Sequence, residues 1–144
     1  MDNRRVVEQY AKASQDKQWE ELGGLMHDEF VARYPQSGET FRGRDSYLAM
    51  FANFPGGLGE ADFSSVKGDS DTIITPSFQP FLSPTVTVFG GDRFVIEGVA
   101  DYPDGTQFHF ISILRVQQGR VIEDSSYFAA PFDPPDWRKD YRES

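Results

Sequence analysis

The chain has 144 residues, a formal net charge of −9 and no cysteine. This length fits one domain, residues 1–144, with a core that needs no disulfide bond, and the missing thiols exclude thiolate zinc sites and cysteine nucleophiles. Because nucleic-acid binding depends on clustered Lys and Arg, and no run approaches the roughly 18 apolar residues of a membrane span, we expect a cytoplasmic protein that binds neither nucleic acid nor membranes.

The first third of the chain carries helical patterns. Apolar residues recur every three or four positions from Val6 to Ser14, which predicts a first helix that ends near Asp16. A second, short helix is predicted after Asp16, and His27 is expected at a helix end. The inner face of this second helix is predicted to carry Trp19, Leu22, Leu25 and Met26.

An extended segment and a third helix follow. Phe30–Tyr34 is predicted to be extended, because Pro35 disfavours a helical conformation of the residue before it. After a polar turn at 36–39, Asp45 is predicted to cap the third helix. This helix is expected to stop at Pro55, and its apolar stripe is formed by Tyr47, Leu48, Phe51 and Phe54.

The rest of the chain has strand patterns. The middle section predicts a strand near Phe63–Lys67 or Thr72–Thr75, and three prolines between 76 and 84 rule out a central strand there. Val86–Phe89 and Phe94–Tyr102 then begin an antiparallel meander, which turns at 103–105 and again at 117–119. Helices followed by hairpins predict an α+β fold. In the tail, residues 131–144, a helical turn is predicted to hold Trp137 and Tyr141 against the core, the pocket or a partner subunit.

The last two strands combine apolar and polar residues on one face. Alternation places Ser112 between Phe108, Phe110, Leu114 and Val116, and it places Asp124 and Ser126 between Ile122 and Phe128. An apolar wall with a single carboxylate is typical of a pocket for a small ligand. A bulge that shifted the alternation by one residue would place Glu123 instead of Asp124 on the inner face. The alternative to a functional role is an ion pair of Asp124 with Arg115 or Arg120.

Several short segments, in this order and spacing, resemble the nuclear transport factor 2-like superfamily, in its SnoaL-like polyketide cyclase and steroid isomerase branches. They are Val6–Tyr10, Leu25–Glu29, Tyr34-Pro35, Arg42-Gly43, Ile113–Val116 and Gly119–Glu123. The resemblance covers about 6–128. It implies a cone-shaped roll in which a curved sheet, antiparallel or mixed, wraps around three N-terminal helices, and a homodimer formed through the outer sheet face.

The resemblance also assigns roles to single positions. Tyr10 matches the tyrosine that hydrogen-bonds an enolate oxygen in steroid isomerases. Tyr34 and Ser112 stand where those enzymes have their two acids, and Phe51 stands where they have a supporting tyrosine, so steroid isomerisation by that machinery is not expected. Asp124 is the candidate for the acidic residue that cyclase-like members carry on the last strand, although the usual place aligns with Ser126.

We therefore expect a cofactor-free site without metal, since His27 and His109 are far apart in sequence and His109 falls on the opposite face of its strand. Asp124 is the predicted acid or base, and Tyr10 and Tyr34 are the predicted hydroxyl donors to a substrate oxygen. The predicted reaction is a cyclisation, isomerisation or dehydration; the alternative is a module that binds or dimerises without catalysis. The candidates for ligand contact are Ser112, Ser126, Phe51, Phe110, Phe128, Gln36 and Arg42.

Overall fold

The computed structural model describes residues 2–57, 61–68, 91–102 and 104–143, with the backbone alone for 61–68. The predicted strands at 72–75 and 86–89 and the prolines at 76–84 lie outside these ranges. Within them, three α-helices precede most of the strands, which confirms the α+β class. None of the described helices is long and apolar enough to cross a membrane.

Helix α1 spans Asn3–Gln15 and α2 spans Trp19–Gly24. The side chain of Asp2 caps α1 by accepting a hydrogen bond from the backbone N–H of Arg5 at 2.8 Å. The expected inner stripe of α1 is confirmed, because Val6, Val7 and Tyr10 are buried. One prediction for α2 is wrong: the helix ends at Gly24, and Leu25 and Met26 follow it instead of completing its inner face.

Strand β1 is longer than predicted and spans Met26–Tyr34. His27 therefore lies in this strand and not at a helix end, and its ring Nε2 is 2.8 Å from Oε1 of Gln118. The predicted polar turn at 36–39 gives way at Glu39 to strand β2, Glu39–Arg42, which pairs antiparallel with β1. The predicted strand end at Tyr34 is confirmed.

Helix α3 spans Arg44–Ala52, and its N-cap is Gly43. The predicted cap at Asp45 is wrong, since Asp45 lies in the first turn. Gly43 has φ 88° and ψ 138°, a conformation that only glycine adopts readily, and its N–H donates to the carbonyl of Phe30 at 2.8 Å. Glycine thus makes the sharp entry into α3 that a cap by Asp45 would not make.

The remaining strands are β3 (Ala61–Gly68), β4 (Arg93–Asp101), β5 (Gln107–Gln117) and β6 (Arg120–Ala129). In the described part of the chain the sheet is curved, unclosed and six-stranded, with the order β2-β1-β6-β5-β4-β3, and it is mixed because only β1 and β6 run parallel. Gln118 and Gly119 join β5 to β6 with φ values of 55° and 75°, as a two-residue hairpin requires.

The core lies between the helices and the concave face of the sheet. Even-numbered residues of β5 point into it, and His109 is exposed on the opposite face, as the alternation predicts. The tail forms a 3-10 helix, Asp136–Tyr141. Trp137 and Tyr141 are 74% and 86% exposed, so neither packs on the core of this chain, and contact of the tail with a partner subunit stays a prediction. The inward face is completed by Phe94, Ile96, Leu114, Val116 and Val121.

Candidate functional site

Asp124 lies inside the curved sheet and is only 4% exposed. One carboxylate oxygen, Oδ2, accepts a hydrogen bond from the hydroxyl of Tyr10 at 2.7 Å. The other, Oδ1, accepts one from the hydroxyl of Ser126, also at 2.7 Å. Tyr10 comes from α1, 114 positions earlier in the chain, so this pair joins the first helix to the last strand.

Ser112 extends this network onto β5. Ser112 and Ser126 are directly opposite in the pairing of β5 with β6, and their hydroxyl oxygens are 2.7 Å apart. Since the hydrogen of Ser126 goes to Asp124, Ser112 must be the donor to Ser126. The result is a row of hydroxyl groups on the inner sheet face that ends on the carboxylate.

Asp124 forms no ion pair among the described residues. The two arginines considered as its partners pair elsewhere: Arg115 contacts Glu123 at 2.9 Å, and Arg120 contacts Asp28 at 3.5 Å. Burial therefore raises the pKa of Asp124 above its usual value, although the hydrogen bonds that Ser126 and Tyr10 donate to the carboxylate partly oppose the shift. Such a carboxyl group can hold a proton at a pH where an exposed aspartate has lost it.

Tyr34 is not bonded to Asp124. Its hydroxyl donates to the hydroxyl of Tyr47 on α3 at 3.1 Å. Burial raises the pKa of Tyr34 and of Tyr47, and the negative charge of Asp124 adds to both shifts, so both phenols stay protonated near neutral pH. Tyr47 in turn packs against Phe51 with ring centroids 4.8 Å apart, and Phe51 stacks on Trp19 at 5.8 Å.

A cavity of about 120 Å³ opens beside this network. Its walls hold seven of the ten residues predicted for the site, while Tyr34, Gln36 and Arg42 are not among them. The side chain of Gln36 instead accepts a hydrogen bond from the backbone N–H of Phe128, and Arg42 is exposed on β2. The predicted residues that line the cavity are Asp124, Tyr10, Ser112, Ser126, Phe51, Phe110 and Phe128.

Other residues line the cavity without having been proposed for the site. Tyr47 could have been found, because it lies four positions before Phe51 and so on the same helix face. Trp19 and Leu22 share a face of α2 by the same argument. No pattern marks the polar residues of the lining, which include Lys17 and the exposed Asp101. The additional apolar and aromatic wall residues are Trp19, Leu22, Tyr47, Ile96, Ala100 and Tyr102.

In the described ranges, no group of three or more His, Asp or Glu side chains is placed to hold a metal ion. Neither histidine lines the cavity. Among the described residues, the buried part of the site thus offers the carboxylate of Asp124, several hydroxyl groups and aromatic rings, while Lys17 and Asp101 add charges at its polar part.

The fold is that of the nuclear transport factor 2-like superfamily. The family model of the SnoaL-like domain matches residues 7–124, and the chain belongs to this family. A comparison with curated proteins found no match.

Solved structures confirm the cone fold. An NTF-2 like protein of unknown function from Burkholderia xenovorans LB400 is 22% identical, with a TM-score of 0.74 over 98% of this chain and 93% of that chain. A proposed ketosteroid isomerase from Kribbella flavida DSM 17836 is 18% identical, with a TM-score of 0.75 over 99% and 88%. A proposed SnoaL-like polyketide cyclase from Shewanella denitrificans OS-217 is 14% identical, with a TM-score of 0.61 over 88% and 89%. At these identities the likeness extends to the fold alone.

Proposed function

We propose that the protein binds a small, mostly apolar molecule that bears a carbonyl or hydroxyl group, and that Asp124 acts on it as acid or base without a cofactor. The observation that carries this proposal is the position of Asp124, a buried carboxylate that lines a ring-lined cavity and has no cationic partner in the described part of the chain. The reaction class is cyclisation, isomerisation or dehydration, each of which needs a proton to be moved but no redox chemistry.

The network around Asp124 supports a proton-transfer role. Burial favours the protonated form, and the hydrogen bonds from Tyr10 and Ser126 favour the ionised form. Because the effect of burial is the larger one, the pKa of Asp124 is raised, which is the direction that brings a carboxyl group closer to exchanging protons near neutral pH. In this proposal Tyr10 and Ser126 are positioning residues, because they fix both carboxylate oxygens, and Ser112 contacts the ligand or orients Ser126.

The test uses Asp124→Asn and a panel of small ketones and alcohols. Binding is measured first by NMR titration, and turnover of each bound compound is then followed by gas chromatography. We expect Asp124→Asn to bind the substrate and to lose roughly 10²-fold or more of the turnover. The matched control is Asp45→Asn, which removes an exposed carboxylate that is not part of the cavity lining and should keep turnover. Equal turnover by Asp124→Asn and the parent would refute the acid or base role.

A second candidate function is a module that binds or dimerises without catalysis. Ile111 and Tyr127 lie opposite each other on the outer sheet face, and they are 42% and 41% exposed. Two such faces packed together would form the predicted homodimer. Sedimentation at micromolar concentration tests it: a dimer that Ile111→Lys dissociates favours this candidate, and a monomeric parent protein counts against it.

A further inference from the structure

Four hydroxyl groups in or beside the cavity donate to Asp124 or to another hydroxyl group. Tyr10 and Ser126 each donate to the carboxylate, Ser112 donates to Ser126, and Tyr34 donates to Tyr47. Stabilising an oxyanion requires donors whose hydrogens point to the place where the negative charge develops. While Asp124 is ionised, the hydrogens of these four donors are already committed, so the predicted hydroxyl groups do not form a site for negative charge.

The same walls favour positive charge. The face of an aromatic ring is the negative end of its quadrupole, and it attracts cations, most strongly when the cation is desolvated. Trp19, Tyr47, Phe51, Phe110 and Phe128 line the cavity, together with the carboxylate. A buried carboxylate with only neutral donors around it gains from a cationic partner.

The other titratable groups near Asp124 do not oppose the binding of a cation in the cavity. Tyr10 from α1, Tyr34 from β1 and Tyr47 from α3 all have a raised pKa because they are buried, and they are neutral phenols. At the polar part of the lining, Lys17 and Asp101 carry opposite charges. The net charge of −9 for the whole chain attracts cations to the protein.

We infer that the cavity is selective for a small organic cation, whose charge lies among apolar groups, and that the reaction at Asp124 passes through such a cation. This inference rests on the proposed function and narrows it to dehydration. Protonated Asp124 gives its proton to the hydroxyl oxygen of the ligand. The carbon–oxygen bond breaks, its electron pair leaves with the water molecule, and a carbocation faces the rings and the new carboxylate. The carboxylate then removes a proton from the adjacent carbon, the C–H electron pair forms the alkene, and Asp124 is protonated again.

The volume of the cavity limits the size of the small molecules that can test this inference. At about 120 Å³ it approaches the roughly 150 Å³ of an apolar cavity that accepts benzene. Choline and 3,3-dimethylbutan-1-ol form a matched pair for this size, because they differ mainly in a positively charged nitrogen that replaces a neutral carbon. Choline does not change its charge with pH in the range of interest, so any pH dependence of its binding belongs to the protein.

The experiment titrates both probes into the protein and follows NMR chemical shifts at pH values below and above the titration of Asp124. At the higher pH we expect choline to bind roughly tenfold or more tightly than its carbon analogue. Choline affinity should fall as Asp124 becomes protonated, whereas the affinity of the carbon analogue should not fall. Asp124→Asn should abolish the preference, and Asp45→Asn, which removes an exposed carboxylate outside the lining, should keep it. If Asp124→Asn does not fold, the pH dependence in the parent protein tests the same carboxylate.

Equal binding of both probes would overturn the cation inference and leave the proposed small-molecule function standing. An equal loss of preference in Asp45→Asn and Asp124→Asn would also overturn it, because general surface charge would then explain the effect. Binding of neither probe would overturn the cation inference and would count against the cavity as a ligand site at all.

Discussion

Replacing Tyr10 with phenylalanine isolates the hydrogen bond between the first helix and the last strand. The ring is buried and stays in place, while the 2.7 Å bond to Oδ2 of Asp124 is lost. A hydrogen bond to a charged group contributes about 1.5–3 kcal/mol, against about 0.5–1.5 kcal/mol for a bond between neutral groups. We therefore expect Tyr10→Phe to lower the free energy of unfolding by about 2 kcal/mol at a pH where Asp124 is ionised.

The sign of the pH dependence follows from the raised pKa of Asp124. The native state binds this proton more tightly than the unfolded chain, so the favourable contribution is fully present below the unfolded pKa, about 3.9, and is lost as the pH rises through the folded pKa. The Tyr10 hydroxyl supports the ionised form, and its removal raises the pKa of Asp124 further. The cost of Tyr10→Phe should thus be largest above the folded pKa and should shrink in acid.

Urea unfolding of the parent and the variant at two pH values, one above and one below the titration of Asp124, measures this difference. Tyr34→Phe is the control, because it removes a bond between two neutral phenols, to Tyr47 at 3.1 Å, and should cost about 0.5–1.5 kcal/mol at both pH values. The reasoning is refuted if Tyr10→Phe costs no more than Tyr34→Phe at the higher pH, or if its cost is the same at both pH values.

Two further predictions concern stability away from the site. Gly43→Ala should lower the free energy of unfolding by about 1–3 kcal/mol, because φ is 88° there, although a Cβ would have no atom within 4 Å. Gly24→Ala has equally open space and no positive φ, and it should raise the free energy of unfolding by about 0.5–1 kcal/mol in the same urea assay. Similar effects of both substitutions would contradict the backbone argument. Arg115→Gln should cost no more than about 1 kcal/mol, because its pair with Glu123 is partly exposed; the loss should fall in 1 M salt, where charges are screened, and a loss that salt does not change would point to packing instead.

Much of the fold could be predicted from local patterns. The alternation in β5 and β6 is strong, because each strand has one face against the core, and the first helix has a clear apolar stripe. Strand β2 could not be found this way. Its sequence, Glu39–Arg42, has no apolar alternation, and it forms a strand because its backbone pairs with β1 at the edge of the sheet.

The part of the site that lies on β5 and β6 could be predicted, because it follows from the alternation of inward and outward residues in these two strands. Ser112, Asp124 and Ser126 share a face of the sheet for this reason. The contact of Asp124 with Tyr10 depends on how α1 packs over the sheet, and no periodicity spans 114 positions; only the resemblance singled out Tyr10. Gln36 and Arg42 flank the turn that follows Tyr34, and proximity along the chain does not bring them to the cavity.

The position of Asp124 depends on an irregularity in the pairing of β5 with β6. Arg115 is opposite Glu123, but Val116 is opposite Val121, so Ile122 is the extra residue of a bulge. Val121 and Ile122 are both buried, as two successive residues of a regular strand with one solvent-exposed face would not be. Counting inward residues in steps of two from Val121 would place Glu123 inside and Asp124 outside. The bulge reverses this, so that Glu123 pairs with Arg115 on the outer face and the shorter carboxylate meets Tyr10 in the cavity.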